Sequence, residues 1–239
     1  MAYQSVFERR ELKYLLTRAQ QQRVLQAIAP YMARDRYGRT TICNLYFDTA
    51  DYRLIRHSLE HPVYKEKLRL RSYGRAAPLS EVFVEVKKKF DHTVYKRRIA
   101  LTEKAALEWL HDGNCPVHDH QISREIAYFL SYYPSLHPTV YLSYEREAYY
   151  CRAGGDFRVT FDENVLGRTN ELSLETEAWG TPLLAEDHVL MELKCPGAIP
   201  LWMTQILTQE RLYKTSFSKY GTAYQTLIFP QVKEAIFHV

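Results

Sequence analysis

The sequence contains few cysteines and no recognisable secretory signal. Its four cysteines are widely spaced and form no CxxC pair; they are Cys43, Cys115, Cys151 and Cys195. Disulfide frameworks and zinc ribbons need cysteines at characteristic spacings, so the sequence favours neither. The segment Met1 to Arg10 is polar and charged rather than apolar. We therefore expect a cytoplasmic protein with reduced thiols.

Long apolar runs are also missing. No window approaches the roughly 18 apolar residues of a membrane-spanning helix, so we expect no membrane insertion, although a membrane-associated partner protein is compatible with the sequence. Internal repeats, low-complexity stretches and Gly/Ser/Pro-rich linkers are absent from the 239 residues. We therefore expect one domain, residues 1–239, built around one core.

Apolar periodicity predicts a mixture of helices and strands. An outer helix is expected over 17–29, with Thr17 as its N-cap and Pro30 at its end. Further helices are predicted over 102–112, 123–132 and 199–208, and 218–229 is either helical or irregular. Strands of period two are predicted over 41–47, 63–73, 82–89, 93–101, 139–149, 156–161 and 189–194. Short turns, including Gly154-Gly155, indicate a mostly antiparallel sheet in an α+β fold.

Basic residues occupy alternate positions of these strands. The formal net charge is only +4, so the placement of the charges matters more than their sum. In 64–73 one side of the strand is basic and carries Lys65, Lys67, Arg69 and Arg71. Side chains two residues apart share a face, so Lys96 and Arg98 lie together whereas Arg97 points to the opposite side.

The alternation has two interpretations. On a solvated outer face, cations about 6 Å apart would repel by roughly 3 kcal/mol per pair at an effective dielectric of about 20, and less with salt. If the sheet instead closes and the basic faces turn inward, the repulsion grows and a bound polyanion becomes the natural counter-charge. Spacing alone leaves both interpretations open, because charges on strands usually face solvent.

Seven segments in chain order carry a more specific pattern. They are Glu8-Arg9-Arg10-Glu11-Leu12-Lys13-Tyr14, Lys67-Leu68-Arg69-Leu70-Arg71, Val84-Glu85-Val86-Lys87, Tyr95-Lys96-Arg97-Arg98, Tyr144-Glu145-Arg146, Met191-Glu192-Leu193-Lys194 and Ser216-Phe217-Ser218-Lys219-Tyr220. Together they resemble the VTC domain, the catalytic domain of the vacuolar transporter chaperone polyphosphate polymerases in the triphosphate tunnel metalloenzyme superfamily. The resemblance runs from about residue 5 to about residue 225.

The resemblance implies a closed antiparallel β-barrel of about eight strands that forms a basic tunnel and is flanked by helices. It also implies transfer of the terminal phosphoryl group of ATP to a growing polyphosphate chain, with release of ADP. A divalent metal, Mn²⁺ or Mg²⁺, would be bound by a glutamate. ATP and polyphosphate are thus the expected partners. Nucleic acid is not expected, because the basic face lacks an aromatic stacking platform.

The resemblance assigns roles to particular residues. Residues expected to act on the transferred phosphate are Lys13, Arg69, Arg71, Lys87 and Arg146. Residues expected to bind substrate are Glu11, Lys67, Glu85, Lys96, Tyr144, Arg158, Ser218 and Lys219. Glu192 is the metal candidate; one carboxylate suffices where water and phosphate oxygens complete the coordination of a hard ion. Phosphoryl transfer needs positioning and charge neutralisation, which Arg and Lys supply.

The sequence departs from the wider superfamily at its ExExK strand. The first acidic position of that pattern is Arg9, followed by Glu11 and Lys13. Fewer carboxylates give weaker support for a second metal and an activated water, which argues for transfer and against hydrolysis. Two other functions stay open: a triphosphatase acting on inorganic or organic triphosphates, and a binding module that holds polyphosphate without chemistry.

Several of these residues also have a purely structural interpretation. Glu192 is compatible with a buried partner for Lys194, Tyr144 with a core residue, and Ser218 with a helix cap. Glu11 and Lys13 are compatible with an exposed strand edge. The loop residues Cys115, His118, Asp119 and His120 have metal-binding chemistry, but their spacing matches no common zinc pattern.

Overall fold

The computed structural model describes residues 10–91, 93–117 and 120–237. Glu8 and Arg9 of the first motif, and His118 and Asp119 of the loop, lie outside the described residues. The strands are β1 (Arg10–Thr17), β2 (Met32–Arg34), β3 (Thr40–Asp48), β4 (Tyr64–Tyr73), β5 (Glu81–Phe90), β6 (Thr93–Thr102), β7 (His137–Cys151), β8 (Arg158–Arg168), β9 (Thr181–Pro182), β10 (His188–Cys195) and β11 (Lys214–Thr215).

The helices are α1 (Arg18–Ile28), α2 (Arg53–Leu59), α3 (Glu103–Asp112), α4 (Gln121–Tyr132), α5 (Leu201–Gln209), α6 (Lys219–Ala223) and α7 (Phe229–Phe237). A π-helical turn, Tyr224–Ile228, joins the last two. The predicted α+β class and the predicted helices and strands are confirmed, with ends shifted by at most two residues except that β8 extends seven residues beyond its predicted end. The segment 218–229, for which the sequence left helix and irregular structure open, is helical. Within the described ranges, no helix is long and apolar enough to cross a membrane.

The strands form one antiparallel sheet, but the sheet is not closed. Its order is β11-β1-β10-β8-β7-β3-β4-β5-β6, with β2 paired to β7 and β9 paired to β8. Strands β11 and β6 stand at the two ends of this order, so the expected closed barrel is not confirmed. The sheet nevertheless curls strongly, because Lys87 Nζ on β5 lies 3.3 Å from Glu11 Oε2 on β1, near the opposite end of the order. We call the surface inside this curl the concave face.

Helix α1 begins where the sequence predicts. The Thr17 side chain accepts from the backbone N–H of Gln20, and the Gln20 side chain accepts from the backbone N–H of Thr17, which completes a capping box. Helix α2 was not predicted. Its N-cap, Tyr52, has a left-handed backbone conformation and no side-chain cap, so the usual N-terminal signal is missing.

The outer face of the sheet carries two apolar cores. One packs strands β4 and β5 under helices α3 and α4, and its fully buried members include Leu68, Leu70 and Val84. The other packs β1, β8 and β10 under α1 and α5. Because side chains alternate along each strand, burying these apolar residues outside forces their charged neighbours onto the concave face.

A third core closes one end of the concave face. The continuous helical segment from Lys219 places Tyr220 and Tyr224 among buried residues of β3 and β7. The Tyr220 ring stacks on Tyr46 with centroids 4.5 Å apart. The Tyr220 hydroxyl donates to the buried carboxylate of Asp48 over 2.8 Å. This packing fixes the start of the helix, and therefore Ser218 and Lys219, against the charged part of the face.

Candidate functional site

Three lysines stand side by side across the concave face. Lys67 on β4 is the register partner of Lys87 on β5, and Lys87 is in turn the partner of Lys96 on β6. Lys65 and Lys89 form a similar pair at the end of the same strands. Like charges directly opposite on neighbouring strands destabilise a sheet. We call Lys67, Lys87 and Lys96 the lysine row.

The next row is held by a buried carboxylate. Glu85, 1% exposed, lies between its register partners Arg69 and Arg98. Arg69 Nη2 lies 2.6 Å from Glu85 Oε2, and Lys96 Nζ lies 2.6 Å from Glu85 Oε1. Arg71 is more distant, with Nε 3.8 Å from the same carboxylate. Glu85 thus orients cations from the two neighbouring strands, β4 and β6.

A second charged group gathers residues from four elements. Arg146 on β7 donates from Nε and Nη2 to the two oxygens of Asp162 on β8, at 2.5 and 2.6 Å. Lys219, at the start of α6, donates to Asp162 Oδ2 over 2.5 Å and to Glu192 Oε1 on β10 over 3.4 Å. Lys194 Nζ lies 3.5 Å from Glu192 Oε2. We call these five residues the Asp162 group.

Contacts of β1 and β4 with the segment that precedes α6 complete the site. Lys13 Nζ lies 3.5 Å from Glu11 and 3.9 Å from Glu192, and it donates to the carbonyl oxygen of Phe217 over 3.0 Å. Lys67 Nζ donates to Ser218 Oγ over 3.2 Å. Ser218 Oγ also accepts from the backbone N–H of Gly221. The helix-cap interpretation of Ser218 is therefore confirmed, and its hydroxyl still reaches the lysine row.

The environment lowers the pKa values of two lysines and of a carboxylate on this face. Burial and the neighbouring cations Lys87 and Lys13 lower the pKa of Lys67 to about 7. Burial and Arg146 lower the pKa of Lys194 to about 8. Lys87 is the main cause that lowers the pKa of Glu11 to about 2. The face thus keeps its carboxylates ionised while disfavouring the charge of some lysines.

The carboxylates stay ionised even where burial opposes it. Burial raises the pKa of Glu85, but Arg69 and Arg71 outweigh it and hold the pKa well below its usual range. Likewise, burial raises the pKa of Glu192, and Lys219 and Arg146 hold it well below its usual range. These anions are therefore fixed negative charges within a predominantly basic face.

Aromatic rings support several of the cations. Arg98 lies over the Phe83 ring at 3.2 Å from its centroid, and Lys219 lies over the Tyr144 ring at 4.4 Å. Tyr144 is buried in the third core, and its hydroxyl accepts from Arg71 Nη2 over 3.1 Å. Tyr144 is buried and Phe83 is half-buried, and each ring is covered by a cation, so the rings position cations rather than offer a stacking platform.

Most of the predicted residues meet on this face. The described structure brings together Glu11, Lys13, Lys67, Arg69, Arg71, Glu85, Lys87, Lys96, Tyr144, Arg146, Glu192, Ser218 and Lys219. Arg158 stands at the start of β8, where it is exposed and is the register partner of Lys194 in the Asp162 group. Their assigned roles remain predictions.

Sequence reasoning missed several residues of the site. Asp162 and Lys194 belong to the Asp162 group, and Asn44 Oδ1 accepts from Arg71 Nε over 3.0 Å. The alternation of side chains along β8 could have identified Asp162 as a site residue. Asp162 is two residues from Thr160, so the two side chains share a face, and it lies just beyond the end of the predicted strand. Asn44 gave no such signal, since it stands in an otherwise apolar strand.

The residues present fit a divalent cation only in part. Glu192 presents its carboxylate to the concave face, and its cation contacts of 3.1 Å and longer are looser than those of Asp162. Among the described residues, no group of three or more His, Cys, Asp or Glu is placed to hold a metal. A hard ion at Glu192 would therefore take most of its ligands from water and phosphate oxygens.

The described structure is thus a curled antiparallel sheet whose concave face is lined by cations. The model of the VTC domain matches residues 8–228. This is most of the chain, and the chain therefore belongs to the VTC domain family. Comparison with curated proteins gives no match.

Solved structures share the fold at low sequence identity. A proposed adenylate cyclase from Bacillus halodurans is 14% identical, with a TM-score of 0.58 over 94% of this chain and 99% of that one. A proposed adenylyl cyclase from Hippeastrum, described as having a dominant triphosphatase activity, is 15% identical, with a TM-score of 0.55 over 91% of this chain and 95% of that one. At such identities the likeness concerns the fold alone.

Proposed function

We propose that this protein is a polyphosphate polymerase that transfers the terminal phosphoryl group of ATP to a growing polyphosphate chain and releases ADP. The observation that carries the proposal is the lysine row. Like charges in register weaken the sheet, and the two carboxylates next to the row, Glu11 and Glu85, are shared with other cations. A linear polyanion with one charge per phosphate would supply the missing counter-charge, whereas a small monovalent anion would supply a single charge.

The residues around the row suit phosphate oxygens. Arg69 and Arg146 present guanidinium groups already oriented by Glu85 and Asp162, and a planar fork pairs well with phosphate. Lys13 on β1, Lys87 on β5 and Lys219 at the start of α6 supply further positive charges. Preorganised cations aimed at developing charge contribute most of the catalysis in phosphoryl transfer, where little covalent chemistry falls to the protein.

The transfer step needs no protein nucleophile. An oxygen of the terminal phosphate of the chain attacks the γ-phosphorus of ATP, and the bond between that phosphorus and the bridging oxygen breaks. The bridging oxygen leaves with the electron pair as part of ADP, so the chain grows by one unit. The concave-face cations neutralise the non-bridging oxygens of donor and acceptor, whose mutual repulsion would otherwise keep them apart.

A divalent cation fits this scheme at Glu192. When bound, Mn²⁺ or Mg²⁺ would neutralise charge on the phosphate oxygens that complete its coordination. The other carboxylates of the concave face, Glu11, Glu85 and Asp162, are engaged by cations. This supports transfer over hydrolysis, because hydrolysis requires a group that activates water.

The proposal is tested by incubating the purified protein with ATP labelled at the γ-phosphate and Mn²⁺, and by separating the products on a gel. We expect ADP and a ladder of labelled polymer. The Glu192→Gln variant should lose the ladder. The Glu163→Gln variant is the matched control, because Glu163 is a buried glutamate that pairs with Arg18 and Arg39 on the opposite side of β8.

The alternatives give different products. Labelled phosphate without polymer would replace the proposal with a triphosphatase. Polyphosphate binding with no turnover of ATP, under conditions in which the protein is folded, would replace it with a binding module. A ladder that persists in Glu192→Gln would remove Glu192 from the mechanism.

A further inference from the structure

Asp162 is the most completely enclosed charge on the concave face. Its exposure is 0%, and both of its oxygens accept from Arg146 at 2.5 and 2.6 Å. Lys219 Nζ reaches the same carboxylate over 2.5 Å. The two cations come from β7 and from the start of α6, far apart in sequence. Asp162 therefore links β7 to the start of α6 through charged hydrogen bonds.

Glu192 shares both of these cations but holds them more loosely. Its contacts are 3.1 Å to Arg146 Nη2 and 3.4 Å to Lys219 Nζ. A bidentate pair fixes a guanidinium in position and orientation, whereas a single longer contact does not. The lengths therefore indicate that Asp162 determines where Arg146 and Lys219 stand, and that Glu192 is free to exchange its contacts.

We propose that Asp162 is a positioning residue that holds Arg146 and Lys219 in the geometry that receives the phosphate chain and keeps them from collapsing onto Glu192. Asp162 itself touches neither phosphate nor metal, because its oxygens are occupied by these cations and closed off from solvent. The inference rests on the proposed function only in taking a phosphate polyanion as the ligand.

Simple electrostatics predicts the opposite effect of removing this charge. Asp162→Asn deletes one negative charge from beside an anion site, so by Coulomb attraction alone the variant should bind polyanions more tightly. If Asp162 instead positions the cations, the variant should bind more weakly, because Arg146 and Lys219 turn to Glu192, the remaining carboxylate. The sign of the change therefore distinguishes the two roles.

The experiment measures binding of tripolyphosphate by calorimetry in the presence of EDTA, so that no divalent metal contributes. We expect Asp162→Asn to bind about tenfold more weakly than the unaltered protein, a loss of roughly 1.4 kcal/mol. Glu163→Gln should bind as the unaltered protein does. It removes a buried carboxylate from the neighbouring position of the same strand but from the opposite face. It therefore measures how far the loss of a buried carboxylate outside the site changes binding.

A double variant guards against failure of Asp162→Asn to fold. Arg146→Gln with Asp162→Asn removes both members of the bidentate pair and leaves neither charge uncompensated by the other. Because Asp162 positions both Arg146 and Lys219, the double variant should bind more weakly than Arg146→Gln by clearly less than about tenfold, since only the effect exerted through Lys219 remains. Independent contributions from the two residues would instead multiply, and that result would overturn the proposal.

The remaining outcomes are equally decisive. Tighter or unchanged metal-free binding by Asp162→Asn would overturn the positioning role. Unchanged metal-free binding together with loss of Mn²⁺ binding, followed by electron paramagnetic resonance of the free ion, would make Asp162 a metal ligand instead. If the unaltered protein binds no tripolyphosphate at all, the proposed function fails first, and the two failures are thereby distinguished.

Discussion

The two faces of strands β4 and β5 are built from opposite kinds of side chain. On the outer face, Leu68, Leu70 and Val84 have no exposed surface and pack under helices α3 and α4. On the concave face of the same strands, Lys67 and Lys87 stand in register as like charges. Burial of the leucines stabilises the fold by the hydrophobic effect, whereas the lysines oppose folding through repulsion and desolvation. The apolar outer face therefore stabilises the fold and offsets the unfavourable charges of the concave face. This is the usual relation between the structural core and the binding site of a protein.

The largest effect is expected on the outer face. Leu70→Ala removes a fully buried side chain and should lower the free energy of unfolding by about 2–5 kcal/mol, because it leaves a cavity as well as losing apolar burial. Denaturant unfolding measures the change. Tripolyphosphate affinity of the folded variant should stay within about twofold of the unaltered protein. A loss of binding as large as the loss of stability would contradict the division of labour between the faces.

On the concave face, the sign of a stability change should reverse. Lys67→Met removes a lysine whose pKa in the folded protein, about 7, lies below its ordinary value of 10.5. A lysine with a depressed folded pKa destabilises the protein fully below that pKa, and the cost diminishes as pH rises toward the unfolded value. The variant should therefore be more stable by about 1–2 kcal/mol at pH 6.5, with a smaller gain at pH 9, while it binds tripolyphosphate more weakly.

Lys104→Met is the control for that comparison. Lys104 lies on α3 with its side chain 68% exposed, so its replacement should change neither stability nor binding appreciably. Equal destabilisation of both variants would show that Lys67 contributes favourably to the empty fold and that the lysine row carries no strain.

Binding itself should take up protons. Lys67 and Lys194, with pKa values of about 7 and about 8, are largely uncharged at pH 8.5. A bound polyanion favours their charged forms and raises both pKa values. Affinity should therefore fall as pH rises from 7 to 9, by up to about tenfold per pH unit for each lysine involved. Calorimetry in two buffers of different ionisation enthalpy counts the protons. A heat of binding that does not depend on the buffer would contradict the proposed charge states of Lys67 and Lys194.

Much of this arrangement was predictable from local pattern. Alternation along β4 and β6 placed Lys67, Arg69 and Lys96 correctly on one face, because the apolar residues between them require the other. What local pattern could not supply is the pairing between distant elements. Asp162 and Lys219 are separated by 57 positions in the chain, and neither residue carries a signal that identifies its partner. Closure of the barrel was expected from the family resemblance rather than from local pattern, and it is not confirmed, because in the described structure β11 and β6 end the strand order without pairing with each other.

The smallest effect tests the alternation within a single strand. Arg97 and Arg98 are neighbours on β6 but face opposite sides: Arg97 Nε pairs with Glu125 on α4 at 2.8 Å, and Arg98 Nε lies 3.7 Å from Glu85. Arg97→Ala should lower the free energy of unfolding by roughly 0.5–1 kcal/mol and leave binding unchanged, because its half-buried ion pair with Glu125 lies on the outer side of β6. Arg98→Ala should weaken tripolyphosphate binding by about fivefold, or roughly 1 kcal/mol, with less effect on unfolding. If the two variants exchanged these phenotypes, the concave face of β6 would not be the ligand-binding side. The lysine row would then belong to the part of the protein that does not bind the ligand.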